Sequence, residues 1–189
     1  LQSVAVGYTN PATQCTSAAP AVYNVNVVPL PEPSFVSGVS QACLGSAGNL
    51  YMTQPGMTSY TWLVTGGIIT AGGGSGDYTA TVTWTSAGTQ EVSVSYTNPA
   101  TTCTAATPVV FPVSVVTQPV PSITGPGATC LNVPGNIYSS EPGMSNYTWD
   151  VPGGTVVTGS TPESISVTWN TPGTHTMTVI YAGPSGCSP

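Results

Sequence analysis

The sequence predicts an all-β chain of tandem antiparallel β-sandwiches. Three observations lead there: the chain repeats itself, its apolar residues alternate, and Pro-Gly or Gly-Gly turns part the alternating runs. The segment Gln54-Pro55-Gly56-Met57-Thr58-Ser59-Tyr60-Thr61-Trp62 returns as Glu141-Pro142-Gly143-Met144-Ser145-Asn146-Tyr147-Thr148-Trp149. In the same register Cys43 maps onto Cys130, Trp84 onto Trp169, Tyr96 onto Tyr181 and Cys103 onto Cys187. The opening residues Val4 to Thr13 match Val92 to Thr101. A period of about 87 residues is too long for a solenoid unit and marks a string of small domains.

The elements follow in order. Tyr60-Thr61-Trp62-Leu63-Val64 alternates with Tyr60, Trp62 and Val64 on one face, and Ala80 to Trp84 and Val92 to Tyr96 do the same. The last repeat offers Ile165, Val167 and Trp169, then Met177, Val179 and Tyr181. The stretch holding Tyr51, like that holding Tyr138, does not alternate cleanly. Turns are expected at Pro55-Gly56, Gly66-Gly67 and Ala87-Gly88, and at their counterparts Pro142-Gly143, Gly153-Gly154 and Pro172-Gly173. About seven short strands per repeat is the pattern of an immunoglobulin-like sandwich. Proline runs, Val28 to Pro33 and Thr117 to Pro121, mark the boundaries and favour extended, semi-rigid joints. The expected organisation is therefore the C-terminal strands of one repeat (1–29), a complete repeat (30–117) and a repeat lacking its last strand (118–189), arranged as a rod.

Composition narrows the function. The 189 residues contain no Lys or Arg, six Asp plus Glu and one His, for a net charge of −6. With no cations to neutralise phosphate, nucleic-acid binding is excluded, and attraction to anionic lipid goes with it. No stretch reads as a membrane-inserting segment. Thr-rich strands with few charges lack the usual protection against edge pairing, so lateral association or strand exchange between chains is a further expectation.

Five cysteines need an account. The repeat layout places a disulfide within each copy, Cys43 with Cys103 and Cys130 with Cys187. Cys15, equivalent to Cys103, is assigned a partner upstream of the first residue. Such bonds imply an oxidising, extracytoplasmic location. Zinc is the rival reading, but no Cys-x-x-Cys occurs and the single His stands apart.

The Tyr60-Thr61-Trp62 strand, the Val82-Thr83-Trp84 strand, the Gly88 to Tyr96 strand and the flanking Cys43 and Cys103 together resemble PKD-like and Ig-like repeats of large secreted Bacteroidota proteins. Such repeats occur in giant gliding-motility adhesins of the SprB type and in other cell-surface proteins exported by type IX secretion. The resemblance implies the outer surface of a Gram-negative bacterium and a role in attachment or gliding, as a cell-surface adhesin or filament. The acidic Trp-Asp-Phe-Gly-Asp-Gly-like motif of PKD domains proper is absent here. Leu63-Val64-Thr65 follows Trp62 and Asp150-Val151-Pro152 follows Trp149.

No catalytic set is encoded. His175 aligns with Gln90, Glu141 with Gln54, Asp150 with Leu63 and Glu91 with Thr176, so no acid or base recurs between copies. Asp77, in the glycine-rich Gly72 to Asp77 loop, and Glu163, in the shorter Gly159 to Glu163 loop, lie one position out of register. A single loop site using either with backbone carbonyls is the residual metal reading. The glycine-rich loop lacks a Lys and a following helix, so it does not read as a phosphate cradle. Trp62, Trp84, Trp149, Trp169, Tyr96 and Tyr181 occupy apolar phases and are expected in the core, where exposed rings would instead offer a platform for sugars. Asn146-Tyr147-Thr148 forms a glycosylation-type sequon absent from the other copy. The expectation is a non-catalytic stalk segment with no cofactor. Its partners would be neighbouring repeats of the same chain, other filament or outer-membrane surface proteins, or polysaccharide. The alternative is a polysaccharide-binding module or a spacer in a secreted hydrolase.

Overall fold

The computed structural model describes residues 1–158 and 161–188. Gly159 and Ser160, in the shorter loop of the third repeat, and Pro189 lie outside the described residues. The architecture is all-β. The second repeat comprises β3 (Phe35–Ser37), β4 (Gln41–Cys43), β5 (Asn49–Thr53), β6 (Thr58–Thr65), β7 (Gly67–Gly72), β8 (Thr79–Trp84), β9 (Gly88–Thr97) and β10 (Val109–Val116). They form two four-stranded sheets, ordered β4-β10-β9-β6 and β3-β5-β8-β7, which face each other as an immunoglobulin-like sandwich. Every neighbouring pair is antiparallel except β4 with β10, where Ser114, Val115 and Val116 lie beside Gln41, Ala42 and Cys43.

The core between the sheets collects one phase of each strand. Tyr51, Ala80, Val82, Trp84, Val92, Val94 and Val113 have no exposed surface, and Tyr60, Trp62, Tyr96 and Val115 are nearly as buried. Tyr51, whose strand does not alternate cleanly, therefore sits at the centre, its hydroxyl donating to the Val39 carbonyl (3.0 Å). Edge-to-face contacts of Tyr51 with Trp84 and Phe111, and of Tyr60 with Tyr96, lock the packing. Pro112 is tolerated inside β10 because β4 pairs only with Ser114–Val116, leaving an open edge beside the proline.

The strand β7 fills the stretch after Gly66-Gly67. Gly66, at φ 71°, makes the turn into it. Gly67 is required for a different reason: a Cβ there would lie 2.9 Å from Trp84 and Val82 side chains.

The third repeat forms β11 (Asn136–Ser139), β12 (Ser145–Asp150), β13 (Gly154–Thr158), β14 (Ser164–Trp169) and β15 (Thr178–Ala182). Its sheets are β11-β14-β13 and β12-β15, with no strand at the β10 position among the described residues. The consequence is a smaller core of Tyr138, Ile165, Val167 and Trp169. Met177, expected inside the last strand, precedes it and is partly buried. The first 29 residues form β1 (Gln2–Val6) and β2 (Ala21–Val25), a hairpin equivalent to β9 and β10 whose apolar side chains, Tyr23 among them, stand exposed.

Candidate functional site at the joint between repeats

The third repeat is held to the second by a covalent bond. Cys43, at the end of β4, is joined to Cys187, beyond the end of β15, across a sequence separation of 144. Closing a loop that long removes chain entropy from the unfolded ensemble worth about 5 kcal/mol in the loop-closure picture. Cys187 is buried, as are Tyr181, Ala182 and Gly183 beside it. Pro119 of the proline joint approaches the same loop, within 3.8 Å of where a Cβ on Gly183 would stand.

This corrects the pairing expected from the repeat layout. Neither Cys43–Cys103 nor Cys130–Cys187 forms; Cys15, Cys103 and Cys130 carry free thiols. The reason lies in β10. Cys43 sits beside Val116 at one end of that strand, whereas Cys103 lies in the hairpin that precedes Val109 at the other. Seven steps of strand separate the two ends by about 23 Å, against the 4.4–6.8 Å between Cα atoms that a disulfide spans. Cys130 and Cys187 are likewise at opposite ends of their repeat: Asn132 bonds the Trp169 carbonyl beside Cys130, and Gly183 bonds the Cys187 carbonyl beyond β15. A cysteine at the exit of one repeat therefore meets the cysteine at the head of the next.

A second recurring feature ties each joint to its sandwich. In the second repeat Gln54 Oε1 accepts from Tyr96 Oη (2.7 Å), Thr53 Oγ1 (3.0 Å) and the Ser34 amide (3.0 Å), and its amide nitrogen donates to Ser34 Oγ. In the third, Glu141 Oε2 accepts from Tyr181 Oη (2.7 Å), Ser140 Oγ (2.8 Å) and the Ser122 amide (3.1 Å), while Ser122 Oγ donates to Oε1. Hydrogen bonds from Ser122 and Tyr181 hold the Glu141 carboxyl well below the usual carboxylate range. Desolvation and the neighbouring Glu141 push the Tyr181 phenol up to about 12. Sequence reasoning passed over this clasp because it compared charges, and Gln54 and Glu141 differ in charge while sharing an acceptor oxygen.

The remaining candidates do not converge on a reaction. His175 stacks on Trp169 at 5.2 Å between ring centroids and 11° between planes, and its Nε2 donates to the Thr171 carbonyl (2.9 Å). Asp77 closes its own loop by accepting from the Gly74 amide (2.9 Å), and its carbonyl takes the Trp62 indole N–H (2.8 Å). The Ser140 amide donates to the Glu163 carbonyl (2.9 Å). Among the described residues no group of three or more His, Cys, Asp or Glu stands close enough to hold a metal ion.

A cavity of about 550 Å³ opens in the third repeat, lined by Tyr138, Trp169, His175 and Met177 among others. Its walls also include Ala128, Thr129, Gly173 and Thr174, the equivalents of Gln41, Ala42, Gly88 and Thr89. In the second repeat those residues flank β10, so the cavity is the slot that Val113 and Val115 fill there. Its aromatic wall is core surface. Of the four tryptophans, Trp62, Trp84 and Trp169 are buried and Trp149 alone is half-buried, its indole reaching the Pro162 carbonyl (3.4 Å).

The chain is similar to the fibronectin(III)-like modules of Clostridium thermocellum CbhA, at 14% identity over 83% of this chain and 88% of that one (TM-score 0.37). Domains 4–9 of the surface layer protein SbsC match at 12% identity over 93% of this chain and 32% of that one (TM-score 0.33). SGBP-B of the Bacteroides ovatus mixed-linkage glucan utilization locus, solved in complex with a mixed-linkage heptasaccharide, matches at 12% identity over 85% of this chain and 46% of that one (TM-score 0.30). At these identities and TM-scores the three likenesses carry no argument about this chain. No curated protein matches the sequence. The PKD-like domain family matches residues 29–113 and again 115–189, and the chain therefore belongs to the PKD-like domain family.

Proposed function

We propose that this chain is a non-catalytic structural stalk segment of a long extracellular repeat protein, built from the residue ranges 1–29, 30–117 and 118–189. The observation that carries the reading is the disulfide from Cys43 to Cys187, which fastens one repeat to the next. A covalent joint between tandem copies suits a load-bearing rod, because it carries tension from one repeat to the next. The proline joints, the Gln54 and Glu141 clasps and the lack of Lys and Arg serve the same end: an extended, protease-poor spacer. The parent protein is then a cell-surface adhesin or filament of a Gram-negative bacterium, acting in attachment or gliding after type IX export, with its specific adhesion carried elsewhere.

Small-angle scattering tests the extended form. A compact 189-residue domain has a radius of gyration of about 16 Å; a stalk gives a clearly larger value and an elongated distance distribution. A compact particle sinks the reading. The alternative, a polysaccharide-binding module or a spacer in a secreted hydrolase, rests on the half-buried Trp149. It is favoured if titration with β-glucan quenches tryptophan fluorescence in the natural chain and Trp149→Ala abolishes the quench.

A further inference from the structure

The bonded pair and the free thiols are built alike. In the loops that carry Cys15, Cys103 and Cys187, the amides of Asn10, Asn98 and Gly183 donate to the respective cysteine carbonyls at 2.9, 2.9 and 2.8 Å. Cys15 and Cys103 also share an Sγ contact to the carbonyl two residues before, Thr13 and Thr101, at 3.5 Å in each case. Cys43 and Cys130 form a second matching set. Ser46 and Val133 donate to their carbonyls at 3.0 and 3.4 Å, and the next residue but one, Gly45 or Asn132, donates to the carbonyl of Trp84 or Trp169. Two kinds of cysteine exist, one at the exit of a repeat and one at its head, and the single disulfide joins one of each kind across a joint.

Cys103, like Cys187, lies in a loop near a proline joint. Pro119 of the second joint lies against the Cys187 loop, and Pro29 to Pro33 of the first joint share a cavity with residues 106–109, just past Cys103. Cys103, partly exposed, therefore lies three residues before the segment that borders the preceding joint, while Cys130 is exposed at the exit end of the third repeat.

We propose that Cys43–Cys187 is one instance of a staggered cross-link that recurs along the array, and that Cys103 and Cys130 are disulfide-forming sites for further repeats of this kind. Cys103 takes the exit cysteine of a preceding repeat, and Cys130 takes the head cysteine of a following one. Each new bond forms from two thiols, which lose two protons and two electrons. The electron acceptor is a disulfide, either a small molecule or an exchange catalyst, reduced to its own two thiols through a mixed-disulfide intermediate. The result is a rod in which every joint carries a covalent staple and no repeat is closed upon itself. The inference rests on the register of the repeats and not on the stalk role.

The test uses the full chain, with a second copy of itself as the neighbouring repeat. The protein is oxidised with glutathione disulfide at rising protein concentration, remaining thiols are alkylated, and thermolysin, which cuts ahead of Val109 and Val110 between Cys103 and Cys130, releases each cysteine on its own peptide. The expected result is a Cys43–Cys187 peptide in every species and a concentration-dependent ladder of linked chains. In that ladder Cys130 of one copy is joined to Cys103 or Cys15 of another. Cys130→Ser should abolish the ladder while leaving the Cys43–Cys187 peptide intact. Three results overturn the proposal: Cys43–Cys103 or Cys130–Cys187 peptides in the monomer, Cys103 and Cys130 fully alkylated at the highest concentration, or Cys130–Cys130 as the main link. None of the three touches the scattering test of the extended form.

Discussion

At the scale of single residues the two copies solve one problem with different chemistry. Gln54 and Glu141 both gather a tyrosine hydroxyl and a serine amide from the start of the repeat, but only Glu141 does so with a titratable group. Because its folded pKa is depressed, the stability it contributes is present above the ordinary value of 4.5. That contribution is lost as pH falls below 4.5 towards the lower native value. Glu141→Gln should therefore melt like the natural chain at pH 7 and lose less on acidification, read as thermal midpoints at pH 3 and pH 7. Parallel pH profiles for the two proteins would refute the assignment. Tyr181 acts in the opposite sense: raised to about 12, it supports the clasp below its ordinary value of 10.0 and withdraws that support between the two. A steric prediction belongs to the same scale. Gly67→Ala pushes a methyl to within 2.9 Å of Trp84 and Val82, and overpacking of this kind costs about 1–3 kcal/mol. Gly76, with nothing within 4 Å of a built Cβ, is the control, its alanine variant changing the urea midpoint little.

Among the elements, the strands with a clean two-residue period were legible: β6, β8, β9 and β14 lie where alternation of Tyr60, Trp62, Val82, Trp84, Val92, Val94, Val167 and Trp169 puts them. Tyr51 and Tyr138 were not, because apolar residues also occupy the outward phase of their strands, Leu50 and Ile137 standing exposed beside the buried tyrosines, so the sequence shows no contrast between phases. The cysteine pairing was illegible for a different reason. A register of repeats tells which cysteines are equivalent and leaves open whether a bond stays within a copy or steps to the next. Only the parallel pairing of β4 with the far end of β10 decides it, and that is a long-range contact with no local signal. The same comparison of elements predicts uneven stability. The β1–β2 hairpin carries Val4, Val6, Val22 and Tyr23 into solvent with no second sheet against it, and a two-stranded hairpin alone is marginal in water. Amide hydrogen exchange should be fast throughout residues 2–25 and slowest in β8 and β9. Protection of β1 and β2 equal to that of β9 would show that the hairpin is covered by something else.

For the whole molecule the disulfide changes how tension travels. Pulled from its two ends, the oxidised chain transmits force from Cys43 directly to Cys187, so the residues between them can unfold without lengthening the path. Reduction of that one bond releases the stretch of 144 residues spanned by it, or about 490 Å at roughly 3.4 Å per extended residue. Bonds confined within repeats would hide less: Cys43–Cys103 and Cys130–Cys187 together span only about four-fifths as many residues, with the joint between them free to extend. Single-molecule stretching with and without reductant separates the two by the length gained. A gain near 490 Å requires the bond across the joint, and the shorter gain requires bonds inside each copy. The larger value would also mean that a repeat which loses its fold under load stays tethered by its neighbours. Such an array resists extension through covalent bonds at its joints more than through the strength of any one sandwich.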